Sequence, residues 1–504
     1  MNSLPQPQTL LDVLGAAPAE RPALVVPDGP QVNYAQLRSL VTEAADHLAA
    51  IGVGRQDRVA MVYPNGPEAV IFFLAASAAG IACPLNFAYK EEEFRFYMED
   101  TGARALLVPP GGGEEARRAL PAGAAVVEAA LGSDGRLRLE SAAQRRPGQT
   151  SSAPDPDDIA LVLHTSGTTS RPKRVPLRHR NLAASVEHVA ATYRLGPEDV
   201  SLAVMPLFHI HGLVASTLST FLTGGTVVVP AGFNPLGFWP LLAAYNPTWF
   251  SASPSPHQMV LKRAREERPA GVGRLRFVRS CSSALSPETM AEMEARYGVP
   301  VLEAYGMTEA AHQMASNPLP PEPRVPGTVG RGTGVEIEIM SDDGKLLGRG
   351  PEGEVVIRGP NVIDGYESNP EANATSFVSG WFRTGDRGVL DDRGYLRLIG
   401  RIKELINRGG EKIAPAEVDQ ALEAHPDVRE AATFGVPHPT WGEEVAAAVV
   451  VSQPVEAREL QAWCRERLSD FKVPKTIHIV DALPRNATGK LQRSQLSNSY
   501  SAQR

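Results

Sequence analysis

The sequence predicts an α/β region of helix-covered sheets carrying a small antiparallel β unit, followed by a small α+β domain. Three observations lead there. From about residue 30 to 110, and again from Ile159 to Ala304, apolar helical patterns alternate with short apolar strands, as in parallel sheets covered by helices. Beyond Ala304 the period changes: VEIEIM, GEVVIRG and GYLRLIG are short strands bounded by Asp-Gly or Arg-Gly turns. A chain of 504 residues also exceeds what one compact core usually supports.

In chain order, YAQLRSLVTEAADHLAAIG from Tyr34 has a helical period, and RVAMVYP from Arg58 reads as a strand. The longest uncharged run, Ala69 to Leu85, is rich in Ala, broken by Gly80 and Pro84, and short for a membrane span. It is expected to be a buried helix feeding a strand. Residues 109–158 are rich in Gly, Ala, Pro and Arg and end in SSAPDPDD, which predicts peripheral structure running into a loop. Strands are then expected near LVLHT, VSLAVMP, GTVVVP, TWFSASP and LRFVRS. Gly348, Gly350 and Gly353 match a dinucleotide fingerprint, but the strand EVVIRG follows where that motif needs a helix N-terminus, so a plain turn is expected. Beyond Gly400, about one hundred residues resemble a compact α+β domain.

Composition narrows the function classes. With 43% hydrophobic and 21% charged residues the chain is ordinary for a globular protein, and a net charge of -7 argues against nonspecific binding to nucleic acid or anionic membranes. The basic cluster Arg171, Lys173, Arg174, Arg178 and Arg180 lacks the interleaved aromatics of a nucleic-acid site. Cys83, Cys281 and Cys464 lie too far apart for a disulfide framework or a zinc cluster, and inert thiols are expected. No basic segment precedes an apolar core in MNSLPQPQTL, and SAQR is no peroxisomal tripeptide, so a cytoplasmic protein without membrane insertion is expected.

The most informative stretch is His164-Thr-Ser-Gly-Thr-Thr-Ser-Arg-Pro-Lys173, directly after the strand LVL. Hydroxyls and freed backbone N–H groups can ring a polyphosphate, Gly167 permits close approach, and Lys173 adds positive charge. The Walker A order is absent. This string resembles the signature of the adenylate-forming superfamily, which includes acyl-CoA synthetases, firefly luciferase and peptide-synthetase adenylation domains. Further motifs recur in that family's order: PLFHIHG from Pro206, SCSSALSP from Ser280, EAYGMTEA from Glu303, WFRTGD from Trp381, GRIKELINRGGEKI from Gly400 and PRNATGKLQR from Pro484.

The resemblance implies attack of a carboxylate on the α-phosphorus of ATP, with pyrophosphate leaving, in a site that needs positive charge, Mg²⁺ and tight positioning. Thr165, Ser166, Gly167, Thr168, Thr169 and Lys173 would hold the β- and γ-phosphates. Ser282, Ser283 and Ala284, with Tyr305 and Gly306, would line the adenine. Thr308 would bind phosphate and Glu309 the Mg²⁺, whose hardness suits a carboxylate. Asp386 would accept from the ribose hydroxyls, and Arg401 would contact ribose or phosphate. Lys490 would reach the carboxylate and α-phosphate, a step-specific role that suits a flexible point charge. His209 joins Lys490, Thr308 and Glu309 in the catalytic set. The resemblance divides the chain into an adenylating domain, 1–402, and a mobile domain, 403–504, hinged at Lys403, with Gly409 and Gly410 beside the tunnel for coenzyme A.

Near the shared motifs lie His209, His211, Arg279, Ser280 and His312, a polar lining suited to a small or second-carboxylate acid rather than a long apolar chain. The strings LFHIHGL, RSCSSAL and EAYGMTEAAHQM are particularly similar to oxalate–CoA ligases, which implies His211, Ser280 and His312 as contacts to the acid. Medium-chain fatty acids, transfer to an acyl-carrier protein and a noncatalytic nucleotide-binding paralogue are the competing readings. One residue departs from the family: Arg174 stands where glycine is usual. It would strain the loop at positive φ, or sit harmlessly in an extended region facing solvent.

Overall fold

The computed structural model describes residues 6–15, 17–165, 172–263, 272–486 and 490–501. The chain packs as two compact units, Met1–Glu336 with Arg358–Gly380, and Ile337–Ile357 with Trp381–Arg504.

The first unit holds two sheets. One has seven strands in the order 137–141, 125–131, 103–108, 58–61, 81–84, 159–165, 173–178. The helix Tyr34–Ala50 begins at Asn33, whose side chain accepts from the Gln36 N–H while the Gln36 side chain answers the Asn33 N–H, a reciprocal cap. Its apolar stripe of Leu37, Leu40, Val41, Ala44 and Leu48 is buried. The uncharged run folds as expected: Pro67–Ala79 is a helix buried on all sides, and it feeds the buried strand Ile81–Pro84. The stretch 109–158 carries more structure than its composition suggests. Ala125–Leu131 extends the sheet in parallel with Ala103–Val108, and Leu137–Ser141 closes the edge antiparallel to it. The alanines of AVVEAAL hide the strand pattern, which main-chain pairing then decides.

The second sheet has nine strands in the order 331–332, 312–316, 301–307, 277–280, 249–252, 200–202, 226–228, 22–25, 31–33. Its six central strands run parallel and its outer ones antiparallel. A core of Leu202, Val228, Phe238, Phe250, Val278, Met293 and Tyr297 fills one face. In such sheets ligands bind beyond the carboxyl ends of the strands. The motifs PLFHIHG, SCSSALSP and GMTEA follow the strands Val200–Leu202, Phe277–Ser280 and Val301–Met307 in this way.

In the second unit the strands Glu352–Arg358, Trp381–Leu390 and Leu396–Arg401 pair antiparallel, the unit expected from the change of period. The turn at Gly348 and Gly350 has positive φ at both glycines and leads into a strand, which removes the dinucleotide reading. The C-terminal α+β block is built on the long hairpin Val428–His438 and Gly442–Val451, with Thr476–Ile479 added in parallel. The helices Pro415–Glu423 and Ala457–Arg465 pack Val418, Leu422, Leu460 and Cys464 over it. All three cysteines are buried and free, as expected of inert thiols, and burial pushes the Cys464 thiol up to about 11. No helix among the described residues is long and apolar enough to cross a membrane.

Candidate active site

The loop that carries PLFHIHG is held from below by Asn65. Its amide donates to the Met205 carbonyl at 2.9 Å and accepts from the Leu207 N–H at 2.9 Å. The chain then enters a buried π-helical segment, His211–Leu218, a rare geometry often found at functional sites. A Cβ on Gly212 would stand 2.4 Å from the Pro206 carbonyl oxygen, so only glycine lets the loop close on itself here.

At the centre of this region lies Arg279, 0% exposed. Its Nε donates to the Tyr193 hydroxyl at 2.8 Å, and its Nη1 donates to Ser251 Oγ at 2.9 Å and lies 3.3 Å from His211 Nε2. Its Nη2 reaches His312 Nε2 and Gln313 Oε1, each at 3.0 Å. These partners are all neutral, and among the described residues no carboxylate pairs with this guanidinium. A guanidinium only donates, so each facing imidazole nitrogen must accept. That assigns the proton of His211 to Nδ1, which meets Ser282 Oγ at 3.0 Å. Burial, reinforced by the Arg279 cation, pushes both imidazoles far below their usual range and keeps them neutral. The two rings stack with centroids 5.1 Å apart. The site is therefore a buried cation wrapped in neutral groups, an arrangement costly to desolvate unless an anion joins it.

Of the residues expected around the acid, His211 and His312 meet here, with Arg279 between them. His209 is half-buried and accepts from the His211 N–H through Nδ1 at 3.3 Å, on the loop beside the cluster. Ser280 is fully buried, but its hydroxyl takes no part in this network and has no hydrogen-bond partner among the described residues. Three non-glycine residues here adopt positive φ: Ser282 (77°), Ala311 (49°) and His312 (117°). Such backbone strain collects at functional sites, where surrounding structure holds it.

The residues expected around adenine and phosphate adjoin these. Ser283 and Ala284 are exposed after the strand Phe277–Ser280, and Tyr305 and Gly306 end the strand Val301–Met307. A Cβ on Gly306 would fall 2.0 Å from the His312 carbonyl oxygen, so glycine is required where the two strands close. Beneath them Glu303 is buried, accepts from the Leu285 N–H at 2.9 Å, and is pushed by desolvation up to about 8. Thr308 and Glu309 lie buried in a 3₁₀ turn, where Glu309 Oε1 accepts from the Tyr366 hydroxyl at 2.8 Å. Lys173 Nζ sits 4.4 Å from the centre of the same Tyr366 ring. Thr165 ends the strand before the phosphate loop and pairs with Lys173 across it. Ser166, Gly167, Thr168 and Thr169 lie outside the described residues.

The remaining expected residues belong to the second unit. Asp386 and Arg401 are brought together as a cross-strand pair, with Arg401 Nε 2.8 Å from Asp386 Oδ1. Lys403 is exposed in a 3₁₀ turn, Ile402–Glu404. Gly409 and Gly410 form an exposed turn with φ of 60° and 100°, beside the Trp441 ring. Lys490 is exposed; its N–H donates to Asn486 Oδ1 at 2.8 Å and its carbonyl accepts from the Asn486 N–H at 2.9 Å.

Sequence reasoning did not assign the partners Tyr193, Ser251, Gln313, Tyr366 and Asn65. Arg279 left one signal, a charge inside the apolar strand FVRS. Tyr366 left none, because it meets Glu309 from 57 positions away.

Among the described residues, no three His, Cys, Asp or Glu side chains gather as a metal cage. Mg²⁺ keeps several waters and uses one or two carboxylates with substrate phosphates. Glu309, buried beside Lys173's partner Tyr366, fits such a role. The family profile of AMP-binding enzymes matches residues 12–367, and that of the AMP-binding enzyme C-terminal domain matches 417–490. An oxalate–CoA ligase of Arabidopsis thaliana is 45% identical, over 94% of this chain and 94% of that protein. A sulfoacetate–CoA ligase of Cupriavidus necator is 36% identical, over 99% of this chain and 100% of that protein. The crystal structure of ATP-bound MatB from Rhodopseudomonas palustris superposes with a TM-score of 0.88 at 32% identity, covering 98% of this chain and 99% of that one. The ordered motifs, the fold and these matches agree, and the chain belongs to the AMP-binding enzyme family as an acyl-CoA synthetase of the adenylate-forming superfamily.

Proposed function

We propose that this AMP-forming acid–CoA ligase activates a small acid that carries a second anionic group, with oxalate the first choice. The observation that carries the proposal is Arg279, a buried guanidinium with five neutral partners and, among the described residues, no carboxylate. A monocarboxylic chain would leave that charge uncompensated, whereas the second negative group of a dianion bound beside the cluster offsets it across the neutral groups that take its five N–H donors. Oxalate and sulfoacetate, substrates named for two relatives, share this second negative group. His211 and His312 hold the guanidinium and present neutral polar edges, and the unsatisfied hydroxyl of Ser280 offers a third polar contact.

The enzyme uses ATP, Mg²⁺ and coenzyme A. One carboxylate oxygen of the acid attacks the α-phosphorus and pyrophosphate leaves. The thiolate of coenzyme A then attacks the acyl carbon and AMP leaves. Lys173 and the hydroxyls of Thr165 to Thr169 bind the β- and γ-phosphates, with Thr308 beside them, and Tyr305, Gly306 and Ser282 to Ala284 line the adenine. When bound, Mg²⁺ neutralises phosphate charge, and Glu309 is the residue that would hold it. His209 borders the reacting carboxylate. Asp386 binds the ribose, Arg401 contacts ribose or phosphate, and Lys490 steers the acid carboxylate. Residues 403–504 move about Lys403 between the two half-reactions, and Gly409 and Gly410 admit the pantetheine thiol.

Pyrophosphate release with oxalate, malonate, sulfoacetate, acetate and octanoate tests the reading. Far higher activity with the dianions than with acetate or octanoate is expected. Preference for octanoate or acetate would refute it.

A further inference from the structure

We propose that Arg174 is a positioning residue that sets Lys173 for ATP, acting through a two-residue lock between Lys173-Arg174 and Tyr366-Glu367. The proposal rests on the reading of Lys173 as the phosphate-binding lysine.

The expectation that Arg174 either strains the loop or points to solvent is corrected. Arg174 lies in the strand Lys173–Arg178, outside the left-handed region, so its backbone carries no strain. Yet its side chain is only 18% exposed, wedged between two carboxylates. Its Nε stands 3.4 Å from Glu367 Oε2 and 3.7 Å from Asp100 Oδ2, and its Nη1 donates to the Asp100 carbonyl. The Glu367 N–H donates back to the Arg174 carbonyl at 3.1 Å, which fixes the two segments against each other.

Lys173 and Arg174 are neighbours on the strand Lys173–Arg178, so their side chains point to opposite sides, and the bond from the Glu367 N–H holds Tyr366 and Glu367 against them from the facing turn. On one side Arg174 meets Glu367. On the other, Lys173 lies over the Tyr366 ring, whose hydroxyl donates to Glu309 at 2.8 Å. The phosphate lysine and the proposed Mg²⁺ carboxylate are therefore spaced by one tyrosine, and that tyrosine is held in register by its neighbour's ion pair. The anchor is shared and partly buried. Glu367 Oε1 also takes Arg58 at 2.8 Å, and Asp100 Oδ2 takes His164 Nε2 at 3.0 Å. His164 and Arg174 face each other one pair farther from the loop than Thr165 and Lys173. Ion pairs screened from water in this way hold geometry better than exposed ones.

The test compares full-length wild type with Arg174→Gly, Arg174→Lys and Glu367→Gln. It measures the MgATP dissociation constant by calorimetry, KM for ATP and for the acid from pyrophosphate release, and thioester formation from supplied acyl-adenylate. Both Arg174→Gly and Glu367→Gln are expected to weaken MgATP binding and raise its KM roughly ten-fold, as loss of one charge-assisted contact does. KM for the acid and the thioester step should stay within two-fold of wild type, roughly the scatter of one weak contact, and Arg174→Lys should recover part of the loss. The lock is overturned if both variants keep wild-type ATP affinity while only their thermal stability falls, or if ATP and acid constants rise together. Glu367→Gln and Arg174→Lys decide the matter should the glycine variant not fold. A wild type that neither binds MgATP nor releases pyrophosphate with any acid would overturn the proposed function itself. Unchanged variants of an active wild type overturn the lock alone.

Discussion

Replacing Arg279 with methionine removes its charge at similar length, and it separates the acid-binding role from a structural one. Arg279 is fully buried and makes hydrogen bonds to Tyr193, Ser251, Gln313, His211 and His312. Much of that network can repair itself. Gln313 Oε1 keeps the Tyr193 hydroxyl at 2.9 Å, and His211 can shift its proton to Nε2, donating to Ser251 Oγ at 2.6 Å. Only the nitrogen of His312 that faced the guanidinium loses its donor, a cost of about 1–3 kcal/mol. Against it stands relief from desolvating an unpaired cation, also several kcal/mol. The variant is therefore expected to fold with a Tm close to wild type or above it. Activity should respond very differently. Taking away the partner of a buried anion costs about 3–5 kcal/mol, or roughly two to four decades in kcat/KM. Pyrophosphate release should fall by that factor with oxalate and sulfoacetate, while turnover of acetate or butyrate stays unchanged or improves. Equal loss for dianions and monocarboxylates, or full retention with oxalate, would refute the assignment.

Three further outcomes follow from the structure. Lys490→Ala should abolish adenylate formation yet spare thioester formation from a supplied acyl-adenylate, and equal loss of both steps in rapid-quench assays would count against the step-specific role. Glu303→Gln tests the buried carboxyl whose folded pKa is raised to about 8 from the usual 4.5. Between those values the folded protein keeps a proton that the unfolded chain has released, so wild-type stability falls as pH rises through this window. Glutamine can still accept from the Leu285 N–H and lacks that slope. Its Tm should approach or trail wild type near pH 4.5 and exceed it by pH 8 and above, where the shift corresponds to roughly 5 kcal/mol. A Tm difference that is flat with pH would contradict the raised pKa. Gly306→Ala should raise KM for ATP at least ten-fold or prevent folding, on the order of the cost of a severe backbone clash, because its methyl would meet the His312 carbonyl oxygen at 2.0 Å. Wild-type kinetics in a stable protein would show that the two strands can separate freely.

Much was legible in the chain alone, because local chemistry leaves periodic and contiguous marks. The alternation of helix and strand, the buried run Ala69 to Leu85, the antiparallel strands and the C-terminal α+β block all came from side-chain period and turn residues, which act over a few positions. The phosphate loop, the GMTEA turn and the tail lysine are contiguous strings, so their resemblance to a family, and the roles it implies, could be recognised before any contact was known. The strand at 125–131 was hidden because its alanines carry little pattern and pairing with a neighbour decides it. Arg174 could be flagged as a departure but not interpreted, since its carboxylate partners lie 74 and 193 positions away. Arg279 is the sharpest case. Its sequence shows only a charge in an apolar strand. That its neighbours are two neutral histidines, a serine, a tyrosine and a glutamine, with no carboxylate among them, depends on five segments meeting in space. Reaction class is written locally because phosphate and nucleotide recognition use short loops, whereas acid preference is a balance of buried charge that only the folded packing sets.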